Sequence, residues 1–175
     1  DYVTFPIVRN EHRNNILHMT IAPAEVSEDV AKEAHELALR LAQGFELAGI
    51  LAIELFVTKD ERVIVNELAP RPHNSGHYTI EACSFDQFDA HIRGIAGWPL
   101  EQPELLKPAV MVNVLGQHVA PTRALIAEHP EWNMHDYCKA EVRHDRKMGH
   151  ITVLTDDTRQ TVADLERTGC WDDLK

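Results

Sequence analysis

The sequence predicts an α+β fold, in which antiparallel strands are flanked by helices. Runs rich in β-branched and aromatic residues are separated by short polar turns, a pattern typical of strands joined as hairpins. Between them, longer segments repeat apolar residues at the spacing of a helix. Apolar residues make up 44% of the 175 residues, which is enough for one or two domains with a packed core.

The first part of the chain is predicted to hold four strands and two helices. The first helix has Ser27 as its N-cap and Gly44 as its C-terminal stop. Lys-Asp-Glu at 59–61 forms the turn of a hairpin. In order, the predicted elements are a strand at 1–8, a polar turn at 9–15, a strand at 16–22, a helix between 27 and 44, strands at 49–58 and 62–69, and a helix at 79–96.

The second part follows a proline-containing linker at 100–108 and is predicted to be a small α/β domain. Its predicted elements are a strand at 109–115, a helix at 122–129, a strand at 150–154 and a helix at 161–168. We therefore expect two domains, residues 1–99 and residues 100–175.

The composition argues against several classes of protein. A formal net charge of −11 disfavours a nucleic-acid partner, because a phosphate backbone repels an acidic surface. Cys83, Cys138 and Cys170 fit neither a disulfide framework nor a zinc motif, which predicts a protein of the reducing cytoplasm. The apolar runs are shorter than the ~20 residues of a membrane span, so no membrane partner is expected. Because Asp1 is not an initiator residue, we expect the C-terminal part of a longer protein.

Residues 65–78 hold the densest group of reactive side chains in the sequence. A carboxylate, an arginine, two histidines, two asparagines and a serine fall within these 14 residues. Strand alternation places Glu67 on an apolar face, where an unpaired carboxylate is costly, and Asn66 on the opposite face. Pro70 and Pro72 end the strand, so the residues that follow form a loop.

Glu54 and Glu67 lie on the two arms of the predicted hairpin. Pairing 58 with 62 makes partner numbers sum to about 120, so Glu54 opposes a residue within about two positions of Ile64, with Glu67 a few residues away. Converging carboxylates repel unless a cation bridges them. Mg²⁺ fits, because it takes one or two protein carboxylates and completes its shell with phosphate oxygens. The alternative is two solvated glutamates on an exposed strand face.

Arg71, His73 and Asn74 follow the second carboxylate directly. An arginine fork binds small planar anions such as bicarbonate through paired hydrogen bonds, and the other two side chains add donors. The alternative is a rigid polar loop that caps the following helix, a role that Asn74 or Ser75 can fill alone.

Lys139, Arg143, Arg146 and Lys147 form the densest basic cluster of this acidic chain. Such a cluster suits the phosphate of a monoester, and Lys139 and Arg146 are the candidates to bind it. The alternative is an exposed basic loop that balances acidic neighbours.

The run Asn-Glu-Leu-Ala-Pro-Arg-Pro-His-Asn-Ser-Gly-His-Tyr-Thr-Ile-Glu-Ala-Cys at 66–83 closely resembles the 5-(carboxyamino)imidazole ribonucleotide synthases, ATP-grasp enzymes of purine biosynthesis. Phe-Pro-Ile-Val at 5–8, His-Met-Thr-Ile-Ala-Pro at 18–23 and Arg-Lys-Met-Gly-His-Ile-Thr at 146–152 are similar to the same family. The resemblance covers nearly the whole chain. It implies the C-terminal subdomain of an ATP-grasp domain, an antiparallel sheet with flanking helices, followed by a small C-terminal domain.

In the family that this sequence resembles, ATP phosphorylates bicarbonate to carboxyphosphate. That intermediate, or the CO₂ it releases, carboxylates the amine of aminoimidazole ribonucleotide, and ADP and phosphate leave. The resemblance also implies a homodimer. By matching motif positions it assigns Mg²⁺ and ATP to Glu54, Asn66 and Glu67, bicarbonate to Arg71, His73 and Asn74, the substrate loop to Ser75, Gly76 and His77, and the ribonucleotide phosphate to Lys139 and Arg146.

Two departures from the family pattern bear on function. The family's N-terminal domain, most of its lid and its adenine-binding hinge lie outside this sequence, so we expect residues 1–175 alone not to turn over. Val-Arg-His-Asp at 142–145 replaces the Arg-Pro-Gly common in relatives, which alters the turn before Arg146.

Other classes of function compete with this hypothesis. One is another ATP-grasp ligase, such as formate-dependent glycinamide ribonucleotide transformylase or a biotin-type carboxylase. The Asn-Ser-Gly-His run at 74–77 and the lack of a biotin motif count against it. A second is a non-catalytic nucleotide-binding module, against which the presence of both Glu54 and Glu67 counts. A metal-binding domain built on the 11 histidines lacks paired ligand spacing.

Overall fold

The hairpin within residues 8–22 belongs with the second half of the chain, because it pairs with the strand at 109–115. The computed structural model describes residues 2–172, and its backbone falls into two units. Unit 1 comprises the residues up to Ile7 and Pro23–Leu106, and unit 2 comprises Val8–Ala22 and the residues from Lys107 onward. The structure thus divides the chain differently from the predicted 1–99 and 100–175.

The described residues form seven strands and five α-helices, which confirms the α+β class. The strands are β1 (Arg9–Arg13), β2 (Ile16–Ala22), β3 (Ala52–Val57), β4 (Val63–Ala69), β5 (Ala109–Leu115), β6 (Asn133–Asp136) and β7 (Lys147–Leu154). The helices are α1 (Glu28–Gly44), α2 (Thr79–Ala82), α3 (Gln87–Ala96), α4 (Val119–Leu125) and α5 (Thr158–Arg167). Short 3₁₀ turns cover Asn74–Gly76, Gly116–His118 and Ile126–Glu128.

Unit 2 is built on a five-stranded antiparallel sheet in the order β1-β2-β5-β7-β6. One face of this sheet carries the apolar core, in which Met19, Val112 and Ile151 are fully buried. Trp171 joins the same cluster, and α5 contributes Leu165 to it. Burial of this face is the main stabilising contribution that the sheet makes to unit 2.

The other face of the same sheet carries polar side chains. The register pairs Asn113 of β5 with His150 of β7, and His150 with His135 of β6. The two imidazole rings stack with their centroids 4.5 Å apart. Asn113 is buried and donates its Nδ2–H to the carbonyl of Leu17 at 2.7 Å, so the strand pairing supplies a partner for a buried amide.

The first strand lies later in the chain than the sequence predicts. β1 covers Arg9–Arg13, the segment expected to be a turn, whereas residues 2–8 form no strand. The cause is the turn itself, because Asn14 and Asn15 have φ values of 49° and 63°. Asparagine tolerates this left-handed conformation, so two residues are enough to join β1 to β2.

Helix α1 begins as predicted and ends slightly later. The hydroxyl of Ser27 accepts a hydrogen bond from the backbone N–H of Val30 at 3.4 Å, which confirms the N-cap. Gly44 is the last helical residue and Phe45 is the C-cap. The left-handed position falls on Glu46, with a φ of 49°, so the predicted stop at Gly44 is wrong.

The predicted helix at 79–96 is two helices. The carboxylate of Asp86 accepts hydrogen bonds from the backbone N–H groups of Phe88 and Asp89 at 2.7 and 2.8 Å, and this cap starts α3 afresh. Gly97, with a φ of 67°, ends α3. The break allows the loop at 71–77 to pack against Gln87 in the first turn of α3.

The remaining predicted elements of unit 2 are present with shifted ends. β5 coincides with the predicted strand at 109–115, and β7 begins at Lys147 rather than at 150. The predicted helix at 122–129 is α4 followed by a 3₁₀ turn. α5 begins at Thr158 because the carboxylate of Asp157 caps it, accepting from the backbone N–H of Gln160 at 2.9 Å. β6 is a strand that the sequence pattern does not indicate.

Cys83, Cys138 and Cys170 are free thiols. Burial raises the pKa of Cys83 to about 11, so this thiol stays protonated and is not activated as a nucleophile. Across residues 2–172, no helix combines the length and the apolar character needed to cross a membrane.

The loop before β7 contains a residue in a conformation that favours glycine. Asp145 has a φ of 60°. Its Oδ1 accepts a hydrogen bond from Gln117 Nε2 at 3.0 Å, and its backbone N–H donates to Gln117 Oε1 at 2.9 Å. This two-point contact explains how an aspartate occupies the turn directly before Arg146.

Substitution of Asp145 tests this account of the turn. Asp145→Ala and Asp145→Gly both remove the carboxylate, but only alanine keeps a Cβ at the positive φ. We expect Asp145→Ala to be less stable than Asp145→Gly by about 1 kcal/mol, measured by urea denaturation. Equal stabilities of the two variants would show that the backbone there is not strained.

His18 on the polar face of the sheet predicts a pH dependence of stability. Burial, with smaller contributions from Arg13 and His118, lowers the pKa of His18 from 6.5 to about 4. Unfolded His18 therefore gains a proton at a higher pH than folded His18, so the free energy of unfolding decreases as the pH falls through this window.

We expect the chain to lose roughly 1–3 kcal/mol more stability than the His18→Gln variant between about pH 7 and pH 4.5. Urea denaturation at both pH values measures the difference, because the glutamine does not titrate. Identical losses in the two proteins would contradict the lowered pKa.

Candidate active site

The β3–β4 hairpin brings Glu54 and Glu67 directly opposite each other. Near the turn the register follows the predicted sum, with Phe56 paired with Ile64 and Leu55 paired with Val65. A β-bulge then shifts the pairing by one residue, so that Glu54 opposes Glu67, whereas a constant sum of 120 would pair it with Asn66. Opposed residues of an antiparallel pair point to the same face with Cβ atoms about 4.5–5.5 Å apart, so the two carboxylates are neighbours.

Asn66 is the extra residue of the bulge. Strand alternation predicts its side chain on the face opposite Glu67, but its Nδ2 donates a hydrogen bond to Glu54 Oε2 at 3.2 Å. The predicted alternation is therefore wrong at this position, because a bulge places two consecutive residues against one partner and re-aims a side chain. The bulge gathers Asn66, Glu54 and Glu67 in one place.

His73 lies beside this pair of carboxylates. Its Nε2 is 3.9 Å from Glu54 Oε1, and the side chains of His73 and Glu54 are only 14% and 17% exposed. The ring Nδ1 lies 2.8 Å from the hydroxyl of Ser75 and accepts from the backbone N–H of Ser75 at 3.4 Å. With Nδ1 acting as acceptor, the hydrogen of the neutral ring is on Nε2, on the side of Glu54.

The carboxylates of Glu54 and Glu67 suit one kind of metal ion. Among the described residues, no group of three or more His, Cys, Asp or Glu side chains is arranged to hold a metal. Two opposed glutamates are instead the number of protein ligands that Mg²⁺ takes when phosphate oxygens and water complete its octahedral shell. Zinc, which prefers three or four nitrogen and sulfur ligands, fits these residues less well.

The loop at 71–77 is fixed by a buried glutamine of α3. Gln87 is 2% exposed. Its Oε1 accepts from the backbone N–H of His73 at 2.8 Å, and its Nε2 donates to the carbonyl of His73 at 2.8 Å. The same Nε2 lies 2.9 Å from Nδ1 of His77. Sequence reasoning misses Gln87, since a single glutamine in a helix carries no pattern that marks it as buried.

Arg71 and Asn74 complete the loop residues that the sequence singles out. Arg71 is exposed, and its Nη1 donates to the carbonyl of Pro72 at 3.1 Å, which leaves further donors of the fork for an anion. Asn74 begins the 3₁₀ turn Asn74–Gly76, which follows the cap formed by His73. The structure therefore places Arg71, His73 and Asn74 on the loop that β4 delivers at the bulged end of the hairpin.

Lys139 and Arg146 lie in unit 2, apart in the chain from the glutamates of unit 1. Lys139 Nζ donates to the carbonyl of Lys147 at 2.6 Å and lies 5.4 Å from the centre of the Tyr137 ring. Arg146 is exposed, and its Nη1 donates to the carbonyl of Glu141 at 3.0 Å. Each side chain is oriented by a backbone oxygen, and each keeps further N–H donors.

Arg143, the other arginine of the basic cluster, is paired differently. It forms an ion pair with the carboxylate of Glu141. A neutralised arginine contributes less to anion binding than a cation held by a carbonyl. Within the cluster, Lys139 and Arg146 therefore remain the candidates to bind a phosphate.

Comparisons with known proteins place the chain in a family. Residues 1–88 match the ATP-grasp domain, and residues 109–164 match the phosphoribosylaminoimidazole carboxylase C-terminal domain. The chain is 48% identical over 162 residues to the N5-carboxyaminoimidazole ribonucleotide synthase of Staphylococcus aureus strain COL, covering 92% of this chain and 43% of that protein.

Solved structures agree with this match. An ADP complex of an N5-carboxyaminoimidazole ribonucleotide synthetase matches with a TM-score of 0.93 and 44% identity, covering 96% of this chain and 45% of that one. The Aspergillus clavatus enzyme in complex with ADP and 5-aminoimidazole ribonucleotide matches with a TM-score of 0.87 and 32% identity, covering 95% of this chain and 46% of that one.

The chain spans less than half the length of these relatives. The ATP-grasp match itself covers half of the 175 residues and includes the bulged hairpin and the loop at 71–77. Glu54, Glu67 and the loop all lie in that half, and the match shows that the chain belongs to the ATP-grasp family.

Proposed function

We propose that this chain forms part of an enzyme that uses ATP and bicarbonate to carboxylate 5-aminoimidazole ribonucleotide. The products are 5-(carboxyamino)imidazole ribonucleotide, ADP and phosphate, in purine biosynthesis. The observation that carries the proposal is the β-bulge that sets Glu54 opposite Glu67 with His73 beside them. The names of the relatives support the choice of substrate, and one relative is described in complex with ADP and 5-aminoimidazole ribonucleotide.

In this proposal, Glu54 and Glu67 hold Mg²⁺ at the ATP phosphates. When bound, the ion neutralises charge on the phosphate oxygens during phosphoryl transfer. The chain contributes orientation: the bulge sets the two carboxylates side by side, and Asn66 holds Glu54 through the 3.2 Å hydrogen bond. Phosphoryl transfer depends on such positioning more than on covalent help from the protein.

The loop at 71–77 is proposed to bind bicarbonate and the carboxyphosphate formed from it. The fork of Arg71 suits the two oxygens of a planar anion, and the Nε2–H of His73 and the amide of Asn74 add donors. Ser75 fixes the ring of His73, and Gly76 and His77 close the loop against Gln87. Donors held in place before the anion binds lower the cost of organising the site during the reaction.

Lys139 and Arg146 are proposed to bind the phosphate of the ribonucleotide. Both are held by backbone carbonyls and keep donors for a phosphate oxygen. The overall charge of −11 makes such a local cationic pair selective for a small phosphorylated metabolite over a nucleic acid.

We further propose that the enzyme works as a homodimer in the cytoplasm and that residues 1–175 do not turn over alone. The relatives are more than twice as long as the part that this chain matches. Carboxyphosphate is short-lived in water, so its use requires a site that excludes solvent, and in ATP-grasp enzymes a lid supplies that closure. We therefore expect no steady-state phosphate release from the 175-residue chain, whereas robust bicarbonate-dependent release would contradict this part of the proposal.

The reaction is tested in the longer enzyme that contains these residues, by ADP release with ATP and bicarbonate. We expect strong stimulation by 5-aminoimidazole ribonucleotide, and a loss of at least about 100-fold in Glu67→Ala because a metal ligand is removed. Glu33→Ala is the matched control, since it removes an exposed carboxylate of α1 in the same unit. Its activity should equal that of the parent enzyme.

Three outcomes would overturn the proposal. Turnover indifferent to the ribonucleotide but responsive to another acceptor would change the substrate. Replacement of bicarbonate by formate with retained activity would assign the chain to a formate-using ATP-grasp ligase. Full activity of Glu67→Ala would remove Glu67 from the metal site.

A further inference from the structure

We propose that Gln87 is a positioning residue for the anion-binding loop at 71–77 and that it fixes His77 as a neutral donor through Nε2. The inference rests on the proposed function, because that function makes the loop the bicarbonate site. Gln87 itself lies on α3, outside the loop, and touches the loop through its side-chain amide.

The amide of Gln87 pairs with both backbone groups of His73. Oε1 accepts from the His73 N–H, and Nε2 donates to the His73 carbonyl, each at 2.8 Å. The side-chain amide of Gln87 thus pairs with the backbone of His73 as a neighbouring β-strand would, with one hydrogen bond in each direction. A buried two-point contact restricts both translation and rotation of the His73 backbone, whereas a single hydrogen bond would leave rotation open.

The loop and the glutamine are in close contact. A Cβ added at Gly76 would lie 2.5 Å from Gln87 Oε1, so glycine is required for the loop to approach the amide. Thr79 locks the other end of the contact: its hydroxyl donates to the carbonyl of Gly76 at 2.6 Å and accepts from the backbone N–H of Gln87 at 3.0 Å. Gly76, Thr79 and Gln87 therefore contact one another and connect the loop to α3.

The orientation of the amide determines the tautomer of His77. The His73 N–H can only donate and the His73 carbonyl can only accept, so the backbone fixes which atom of Gln87 is oxygen and which is nitrogen. Gln87 Nε2 is then a donor, and His77 Nδ1, 2.9 Å away, must accept. The hydrogen of the neutral imidazole is consequently on Nε2. The ring of His77 also stacks on Phe88, with centroids 5.7 Å apart, which restrains its plane.

This arrangement explains how hydrogen bonds from Gln87 position the loop. Gln87 fixes the backbone of His73 on one side of the 3₁₀ turn and the ring of His77 on the other. Displacement of His73 by a fraction of an ångström would move its Nε2 relative to Glu54, and misplacement on that scale lowers the rate of oriented reactions strongly.

The first test measures kinetics of the longer enzyme with Gln87→Met, which has a similar volume and no polar group. We expect kcat/KM for bicarbonate to fall roughly 10- to 100-fold, with KM for ATP changed by less than about twofold. Gln87→Glu keeps the acceptor for the His73 N–H but sets a buried carboxylate oxygen against the His73 carbonyl, so it should lose at least as much as Gln87→Met. Ala90→Gly weakens the middle of α3 without touching the loop, and is the control for a merely structural loss.

The second test is independent of activity. Nitrogen chemical shifts of the imidazoles in the 175-residue chain, at a pH above the titration of histidine, should show His77 with its hydrogen on Nε2. In Gln87→Met the same ring should report a mixture of tautomers. This measurement stands even if the enzyme proves to use another substrate, so it separates the role of Gln87 from the proposed function.

Two results would overturn the inference. One is unchanged bicarbonate kinetics in Gln87→Met, or a loss no larger than that of an Ala90→Gly variant with an equal drop in Tm. The other is a His77 ring in the unmodified chain that carries its hydrogen on Nδ1.

Discussion

One extra residue in β4 determines how Glu54 and Glu67 are placed relative to each other in unit 1. Without Asn66 as a bulge, alternation would send neighbouring side chains to opposite faces of the hairpin. With the bulge, Glu54 faces Glu67 and Asn66 bonds to Glu54. The strand then ends at Ala69, directly before Pro70, so the polar loop starts just beyond the carboxylates. The relative positions of Glu54, Asn66 and Glu67 therefore depend on a local irregularity in strand pairing.

Hydrogen bonds to backbone groups help to position several of the candidate cations and donors. Lys139 bonds to the carbonyl of Lys147, and Gln87 bonds to both backbone groups of His73. Hydrogen bonds to the main chain hold a side chain without neutralising it, so its charge or remaining donors stay available for an anion. This arrangement is a form of preorganisation, which lowers the cost of ordering the site when substrates bind.

Much of the fold is readable from the sequence, because local signals coincide with tertiary structure. The hairpin around residues 59–61, the cap at Ser27 and the strand at 109–115 all follow from turn chemistry and apolar pattern. The bulge is not readable, since it changes the register without changing the pattern of residue types. The role of Gln87 is hidden for a similar reason: burial of a polar residue is decided by distant backbone partners. The place of residues 8–22 in unit 2 depends on long-range pairing, which periodicity does not encode.

The most direct test of this account is a double-mutant cycle on the two opposed glutamates. Activity of the longer enzyme toward Mg²⁺ and ATP is measured for Glu54→Gln, Glu67→Gln and the double variant. If both carboxylates bind one cation, the first substitution already destroys the shared site. The activity of the double variant should then be about equal to that of the less active single variant. Losses that multiply would show that the two glutamates act independently, and would contradict the claim that the bulge unites them.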